Sequence, residues 1–346
     1  MTAEQGLVLA WLVLAHLVAD FVLQPGRMAR SKAGPGNAAL PALFGHAVVV
    51  ALCVVPFGIA FGAPGWWVVV IVAVSHVAID RVKAVLTRRA EAAALAEARR
   101  RHEAAGTAPD GLGPAWTPVP GALFAVDQFA HIAILAAAWA ALLSVAPLDP
   151  GFAGWAGDWL GRWDQPVVHD VVFRGVVLAS LLIVNIRAGA LFVGVLVVPR
   201  LATEAGRAAE RPATPSPTPV TPPDPTPVGW TFQVGPFEGR AVPDSAASPT
   251  QVTAAAVPPS PVHAPPAPPG RVGEAIGILE RLLIVTFVLV GAEAAIGLVI
   301  AAKTLARFKQ LDDRDFAEYY LLGTLASVAV AAISAFVAVA ALDSLG

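Results

Sequence analysis

Seven apolar stretches of about 20 residues or more constrain this chain more than any other feature. A stretch of that length crosses the bilayer core as a helix, because each unpaired backbone group in lipid costs several kcal/mol. Of the 346 residues, 56% are hydrophobic and 14% are charged, whereas soluble domains carry about 25% charged residues. We therefore predict an all-α, polytopic transmembrane helical bundle of about seven spans, multi-pass in the cell membrane. The spans are 5–24, 40–62, 66–86, 122–146, 169–198, 274–301 and 318–342.

Charge and cysteine content exclude several other classes of protein. The net charge of -2 and the lack of a basic, aromatic-rich patch argue against nucleic acid as a partner. Cys53 is the single cysteine, so no intramolecular disulfide can form. The N-terminal stretch has Glu4 in place of a basic region and contains His16 and Asp20, so we expect a retained first span and no cleaved signal.

The pattern of spans and linkers predicts four parts. Residues 1–146 form a four-span membrane domain, and 147–203 form an interfacial segment rich in Trp, followed by the fifth span. Residues 204–272 hold 18 of the 31 prolines and predict a long, disordered, Pro-rich linker. Within it, VGWTFQVGPFEGR is the candidate for binding a protein partner. Residues 273–346 form a C-terminal segment of two spans.

Two local patterns carry further expectations. Trp155, Trp159 and Trp163 stand four residues apart, which favours a short helix in the membrane interface, with packing against neighbouring spans as the alternative. Glu293 lies inside the sixth predicted span and needs a partner there. We expect an ion pair between Glu293 and Arg187 of the fifth span.

Basic residues in short loops predict the orientation of the first four spans. The loop after the first span holds Arg27, Arg30 and Lys32, and the segment after the third holds five arginines between 88 and 101. Both segments then face the cytoplasm, and the N-terminus is extracytoplasmic. If all seven spans alternate across the membrane, the basic residues between 303 and 314 lie outside, against the positive-inside rule. In that arrangement nearby aspartates offset their charge. A re-entrant hairpin turning at 185–189 in the fifth segment is the alternative.

Histidine and aspartate recur one helical turn apart inside three of the apolar stretches. The pairs are His16–Asp20, His76–Asp80 and Asp127–His131, with His46 alone in the second stretch. Residues four apart share one helix face. Counted from the predicted cytoplasmic ends, they all lie roughly 6–15 Å deep. One shared layer predicts one polar site, and Gln24, Lys83 and Gln128 stand on the same faces.

Three interpretations of this polar set stay open. Each His–Asp pair can be a hydrogen bond that joins helices, as in a structural or regulatory scaffold. The same residue types line proton or cation pathways in transporters. They are also the usual ligands of Zn²⁺ and related divalent ions, which activate water for hydrolysis of a small-molecule or lipid substrate. We predict the last. The candidate ligands are His16, His46, His76, His131, Asp20, Asp80 and Asp127, and one of the three aspartates left free of the metal acts as general base.

The motifs also carry a family resemblance. HLVADFVLQ, SHVAIDRVK and DQFAH resemble a bacterial integral-membrane family catalogued as domain of unknown function 3307, over about residues 5–140. The block ILER…AAKTLARF…EYYLLGTLAS is similar to the tail of longer members, over about 273–330. The resemblance implies a helical membrane fold. It implies no reaction, because the family has no settled activity.

Overall fold

The computed structural model describes residues 3–104, 117–160, 165–197, 230–234, 237–241 and 270–344. The chain divides into two compact units. The first comprises Met1–Gly206 and Pro269–Gly346, and the second comprises Arg207–Pro268.

The N-terminal part of the first unit is a set of antiparallel helices. These are α1 (Ala3–Leu17), α2 (Gly26–Lys32), α3 (Leu40–Phe61), α4 (Ala63–Ala104) and α5 (Val119–Ala138). A π-helical turn, Val18–Val22, continues α1, and another, Trp139–Leu143, continues α5. Leu12, Val50, Val68 and Leu135 from four of these helices are fully buried in one apolar core. This core fixes the helices that carry the polar residues.

The turn between α3 and α4 brings these two helices close together. Gly62 has φ of 60°, a left-handed conformation that glycine adopts readily. At Gly65, a Cβ atom would lie 2.0 Å from the backbone oxygen of Phe57. Only glycine fits at this position, so the approach of the two helices depends on it.

The third predicted span, 66–86, is the first part of α4. The helix runs on without a break to Ala104, for 42 residues. At 1.5 Å per residue it is about 63 Å long, roughly twice the bilayer core. The helix thus continues well beyond its apolar part. Glu97 there bonds Arg100 and Arg101, as expected of a solvated helix.

The described residues of the C-terminal part of the first unit include six further α-helices. These are α6 (Pro150–Leu160), α7 (Gln165–Ile183), α8 (Gly189–Val197), α9 (Gly270–Leu289), α10 (Ile296–Ala306) and α11 (Arg314–Asp343). The predicted interfacial helix corresponds to α6, where Trp155 is exposed. Trp163 lies outside the described residues.

The fifth predicted span is continuous and does not turn back at 185–189. A π-helical turn, Val184–Ala188, joins α7 to α8 there. The contacts between α7–α8 and α11 run in opposite order along the two helical segments. Asn185 donates to the Ser334 hydroxyl at 3.0 Å, and a Cβ on Gly323 would lie 3.5 Å from the Val197 side chain. The helix α11 is therefore antiparallel to α7–α8 and begins at the end where α8 finishes.

The sixth predicted span, 274–301, is two helices instead of one. The chain breaks after α9, where Gly291 has φ of 70°, and α10 folds back along α9. The Lys303 amine on α10 lies 2.6 Å from the Glu280 carboxylate on α9. Seven full spans are thus not confirmed, because the α9–α10 hairpin returns to the end from which it started.

Five stretches in the described residues are long and apolar enough to cross a membrane. They are Gln5–Val22, Gly36–Phe61, Val119–Leu143, His169–Val197 and Phe316–Asp343. They coincide with the first, second, fourth, fifth and seventh predicted spans. The prediction of a helical membrane protein is confirmed at this level.

The expected Glu293–Arg187 ion pair does not form. Both side chains are exposed, and no ion pair joins them within the described ranges. The reason is the hairpin, since Glu293 lies in its tip, in a short 3-10 turn. The buried cation of this region is instead Arg281, whose Nε donates a 2.6 Å hydrogen bond to the backbone oxygen of Asn185.

The second unit coincides with most of the predicted linker. Its described residues form β1 (Trp230–Val234) and β2 (Phe237–Ala241), an antiparallel pair in which Trp230 faces Ala241 and Val234 faces Phe237. This pair matches the segment singled out in the sequence, in which apolar and polar residues alternate. The last three residues of the predicted linker, 270–272, are instead the start of α9. The predicted disorder of the rest of 204–272 falls outside the described residues.

Candidate functional site

Four helices of the N-terminal part bring the predicted polar residues together. His16, His46, His76, Asp80, Asp127 and His131 are each at most 7% exposed. Asp20 stands in the π-helical turn after α1, and its side chain is 9% exposed. Such turns are frequent at functional sites, because the wider turn redirects a side chain. The convergence that the spacing predicted is therefore present.

Asp20 lies at the centre of this cluster. Its Oδ1 is 3.0 Å from Nε2 of His46 and 3.3 Å from Nε2 of His76. Its Oδ2 is 3.9 Å from Nε2 of His16 and 3.5 Å from the amide Nε2 of Gln128. The carboxylate thus faces three imidazoles on three different helices.

Each of the other two carboxylates is held by a lysine. The Lys32 amine on α2 lies 2.5 Å from Oδ2 of Asp80, which is also 3.5 Å from Nε2 of His76. The Lys83 amine on α4 lies 2.7 Å from Oδ2 of Asp127. Each of these pairs is close to neutral. Among the described contacts, Asp20 has only imidazoles and an amide around it.

His131 is oriented for binding at Nε2. Its Nδ1 lies 2.8 Å from the backbone oxygen of Asp127 and donates to it, so that Nε2 of the neutral imidazole carries a lone pair. That Nε2 is buried and has no hydrogen-bond partner in the described structure. Ligand histidines typically donate their second nitrogen to a carbonyl or carboxylate in this way.

The four imidazole rings lie against one another in a single cluster, in which only His16 and His131 are stacked. Ring centroids are 4.2 Å apart for His76 and His131, 4.9 Å for His16 and His131, and 4.9 Å for His46 and His76. Burying four basic rings around one carboxylate costs free energy unless their nitrogens find partners. His46 Nδ1 and both nitrogens of His76 also lack a well-formed hydrogen bond in the described structure. The cluster is short of partners that accept electron pairs.

Three overlapping sets of side chains have ligand atoms within 4.8 Å of one another. The sets are His16–Asp20–His131, Asp20–His46–His76 and His76–Asp80–His131. Three protein ligands from His and Asp plus an open position are typical of catalytic zinc sites. Six of the seven predicted ligands belong to these sets. Asp127 does not, because Lys83 and Gln128 hold its Oδ2.

A groove between α4 and α5 borders the same region at Lys83 and Asp127. It encloses about 270 Å³ and is lined mainly by Ile79, Val82, Leu86, Leu123 and Val126. Its only polar lining residues are Lys83 and Asp127. Val82 is 57% and Val126 is 62% exposed, so the groove opens on the outer surface of the helices.

The part of the chain that matches a known family contains this cluster. Residues 8–148 match the model of a family described as a protein of unknown function, DUF3307. This confirms the resemblance over the N-terminal part. The DUF3307 region contains all seven predicted ligands, together with Lys83 and Gln128. The C-terminal block lies beyond it, so its resemblance to longer members stays a prediction. The comparisons with curated proteins and with solved structures found no match.

Two residues of the DUF3307 region stand differently from the sequence prediction. Gln24 is half-buried, and its amide nitrogen has no hydrogen-bond partner among the described residues, so it does not join the cluster. Lys32 does join it, although the sequence placed it only among the basic loop residues. No spacing rule connects Lys32 to Asp80, because their contact depends on α2 folding back against α4.

Proposed function

We propose that the His–Asp cluster is a divalent metal centre that serves a hydrolytic reaction. The observation that carries this proposal is the convergence of four buried histidines on Asp20, in overlapping sets of ligand spacing. A hydrogen-bonded scaffold would pair each imidazole nitrogen, whereas His46, His76 and His131 keep buried nitrogens without partners within the described structure. A metal ion accepts such lone pairs.

A divalent ion of this kind lowers the pKa of a bound water and so supplies a nucleophile near neutral pH. The protein provides the ligands, a dry surrounding and a group that accepts the proton. We assign the last role to Asp127, because it stands outside the ligand sets and beside Lys83. In hydrolysis the water oxygen bonds to the acyl carbon or phosphorus, and the bond to the leaving oxygen breaks. One water proton goes to Asp127, which passes it on to the leaving oxygen.

The groove between α4 and α5 favours an amphiphilic substrate that arrives from the bilayer. Its wall is apolar and open on the side that contacts lipid, while Lys83 and Asp127 are the polar groups that it reaches. An apolar site with a few convergent polar groups is typical of ligand binding. The Lys83 amine fits an ester or phosphate oxygen at the head of such a molecule.

Metal content of the detergent-purified chain tests this function. We expect stoichiometric Zn²⁺ or a related ion by elemental analysis, and a large loss of it in His76→Ala. His169→Ala is the matched control, because His169 lies on α7 and belongs to none of the ligand sets. Wild-type protein without bound metal would contradict the proposal. Proton or cation flux that Asp80→Asn abolishes would favour a transporter instead.

The groove has its own test. Val82→Trp and Val126→Trp fill it without touching the ligands, so metal content should stay unchanged. Hydrolysis of long-chain esters or phosphoesters in mixed micelles should fall at least tenfold, and that of short soluble esters should change little. Equal loss on both substrate types would contradict entry from the bilayer.

We further propose a topology of six crossings in the cell membrane, with both termini extracytoplasmic. The crossings are the five membrane-length stretches and the first part of α4. Because α11 is antiparallel to α7–α8, the α9–α10 hairpin begins and ends in the cytoplasm. Lys309 and Arg314 then also face the cytoplasm, which removes the conflict with the positive-inside rule.

Single cysteines in a Cys53→Ser background test this arrangement in intact cells. A cysteine at position 148, between α5 and α6, should react with a membrane-impermeant maleimide, and one at position 30 or 309 should not. Labelling at 309 without lysis would mean an even number of crossings before α11, as in the seven-span arrangement.

A further inference from the structure

The cluster holds more ligands than one ion uses. Zinc binds about four groups in protein sites, whereas four histidines and two aspartates occur in the ligand sets here. Asp20, His76 and His131 each belong to two sets, while His16 and His46 never share one. The sets overlap through shared members without merging into a single group.

The two oxygens of Asp20 face different histidines. Oδ1 lies 3.0 Å from His46 and 3.3 Å from His76, and Oδ2 lies toward His16 at 3.9 Å. A carboxylate that offers each oxygen to a separate ligand group has the geometry of a bridging ligand. Metal ions in paired hydrolytic sites stand about 3.5–4 Å apart, a distance that one carboxylate spans.

The distribution of charged side chains also indicates Asp20 as the bridging ligand. Lys32 holds Asp80 and Lys83 holds Asp127, each within 2.7 Å. Asp20 has no lysine or arginine within ion-pair distance among the described residues, although its side chain is only 9% exposed. A buried carboxylate without a cation is costly. The ion-pair partners of Asp20 are imidazoles, which are charged only when protonated, so the bridging position is the one without a permanently charged partner.

We infer that the centre holds two divalent metal ions bridged by Asp20. His16 and His131 bind one ion together with Asp20 Oδ2. His46 and His76 bind the other with Asp20 Oδ1, and Asp80 stands beside His76 as a further ligand. This inference rests on the proposed metal centre and adds the number of ions that the centre binds. A paired centre acts on ester or phosphoester bonds by holding the attacking and the leaving oxygen at once.

Elemental analysis of the full-length protein, purified in detergent and loaded with Mn²⁺, counts the ions. We expect two equivalents in the wild type, one in His16→Gln, one in His46→Gln and none in Asp20→Asn. His169→Gln is the matched control and should keep two. A single symmetric gel-filtration peak confirms that each variant is folded.

Electron paramagnetic resonance of the Mn²⁺ form adds a readout that stoichiometry alone lacks. The wild type should show an exchange-coupled multiline signal, and His16→Gln and His46→Gln should each show the six-line signal of an isolated ion. One equivalent in the wild type, with no coupling, overturns the paired centre and leaves the metal centre standing. No bound Mn²⁺ or Zn²⁺ overturns both. Loss of both ions in both histidine variants overturns the assignment of two ligand sets.

Discussion

The guanidinium Nε of Arg281 on α9 donates a 2.6 Å hydrogen bond to the backbone oxygen of Asn185, in the π-helical turn between α7 and α8. A π-helical turn leaves backbone groups out of the regular helical ladder, and a buried one needs a partner. Arg281 is 3% exposed and also reaches the Ser327 hydroxyl on α11 at 3.3 Å. Three elements of the C-terminal part therefore meet at one side chain.

Arg281→Ala should lower the stability of the folded chain by about 1.5–3 kcal/mol, because it removes a charge-assisted hydrogen bond and leaves a buried carbonyl without a partner. Unfolding in mixed detergent micelles with increasing dodecyl sulfate measures the loss. Arg174→Ala is the control and should cause no measurable change, since the described ion pair of Arg174 is an exposed one with Asp170. Equal sensitivity of the two variants would contradict this role of Arg281.

The Glu280–Lys303 pair should hold the α9–α10 hairpin closed. Its side chains are only 14% and 19% exposed, so reversing one charge places two like charges together in a poorly solvated position. Glu280→Lys or Lys303→Glu alone should cost roughly 1–3 kcal/mol. The double exchange should recover most of the loss in the same unfolding assay. Additive losses would show that the two residues do not interact.

Lys32→Met should weaken metal binding about 10–100-fold, as removal of a group that orients a ligand commonly does. The lysine holds Asp80 at 2.5 Å, and without it the carboxylate is free to rotate away from His76. Competition titration with a zinc chelator gives the change in affinity. Arg27→Met serves as the matched control, because Arg27 is an exposed cation on the same short helix. Equal metal affinities in Lys32→Met and the wild type would show that Lys32 does not support metal binding and contributes only to the orientation in the membrane.

Gly65→Ala should prevent normal packing of α3 on α4. The added methyl would stand 2.0 Å from the Phe57 backbone oxygen, and a backbone atom cannot move aside as a flexible side chain can. We expect a cost of at least about 3 kcal/mol and a large loss of monodisperse protein in gel filtration. Gly154→Ala is the comparison, since nothing lies within 4 Å of the added atom. A well-folded Gly65→Ala would mean that the two helices are farther apart than described.

Much of the candidate site followed from the sequence because helical periodicity is local. Residues at i and i+4 share a face whatever surrounds the helix, so His16, His76 and His131 could be assigned together with their aspartates. Placing all of them in one layer needed only the positive-inside rule and the rise per residue. The packing that makes Asp20 central was not accessible, because the π-helical turn at Val18–Val22 depends on the neighbouring helices.

The reversal between α9 and α10 was the least predictable feature of the fold. Hydropathy counts a stretch such as 274–301 as one span, since composition does not reveal a reversal at Gly291. The reversal is stabilised by Lys303 on Glu280, a contact across 23 residues. An apolar stretch specifies burial in lipid, and only its partners specify whether it crosses or returns.

The sequence by itself determined that this chain is a helical membrane protein and which polar residues its helices carry, because both follow from composition and from a period of 3.6 residues. The tertiary structure decided which of those residues meet. Lys32 reaches Asp80, Gln24 stays apart, Glu293 and Arg187 do not pair, and α9 and α10 fold into a hairpin. These outcomes depend on contacts between residues far apart in the chain, which local periodicity does not encode.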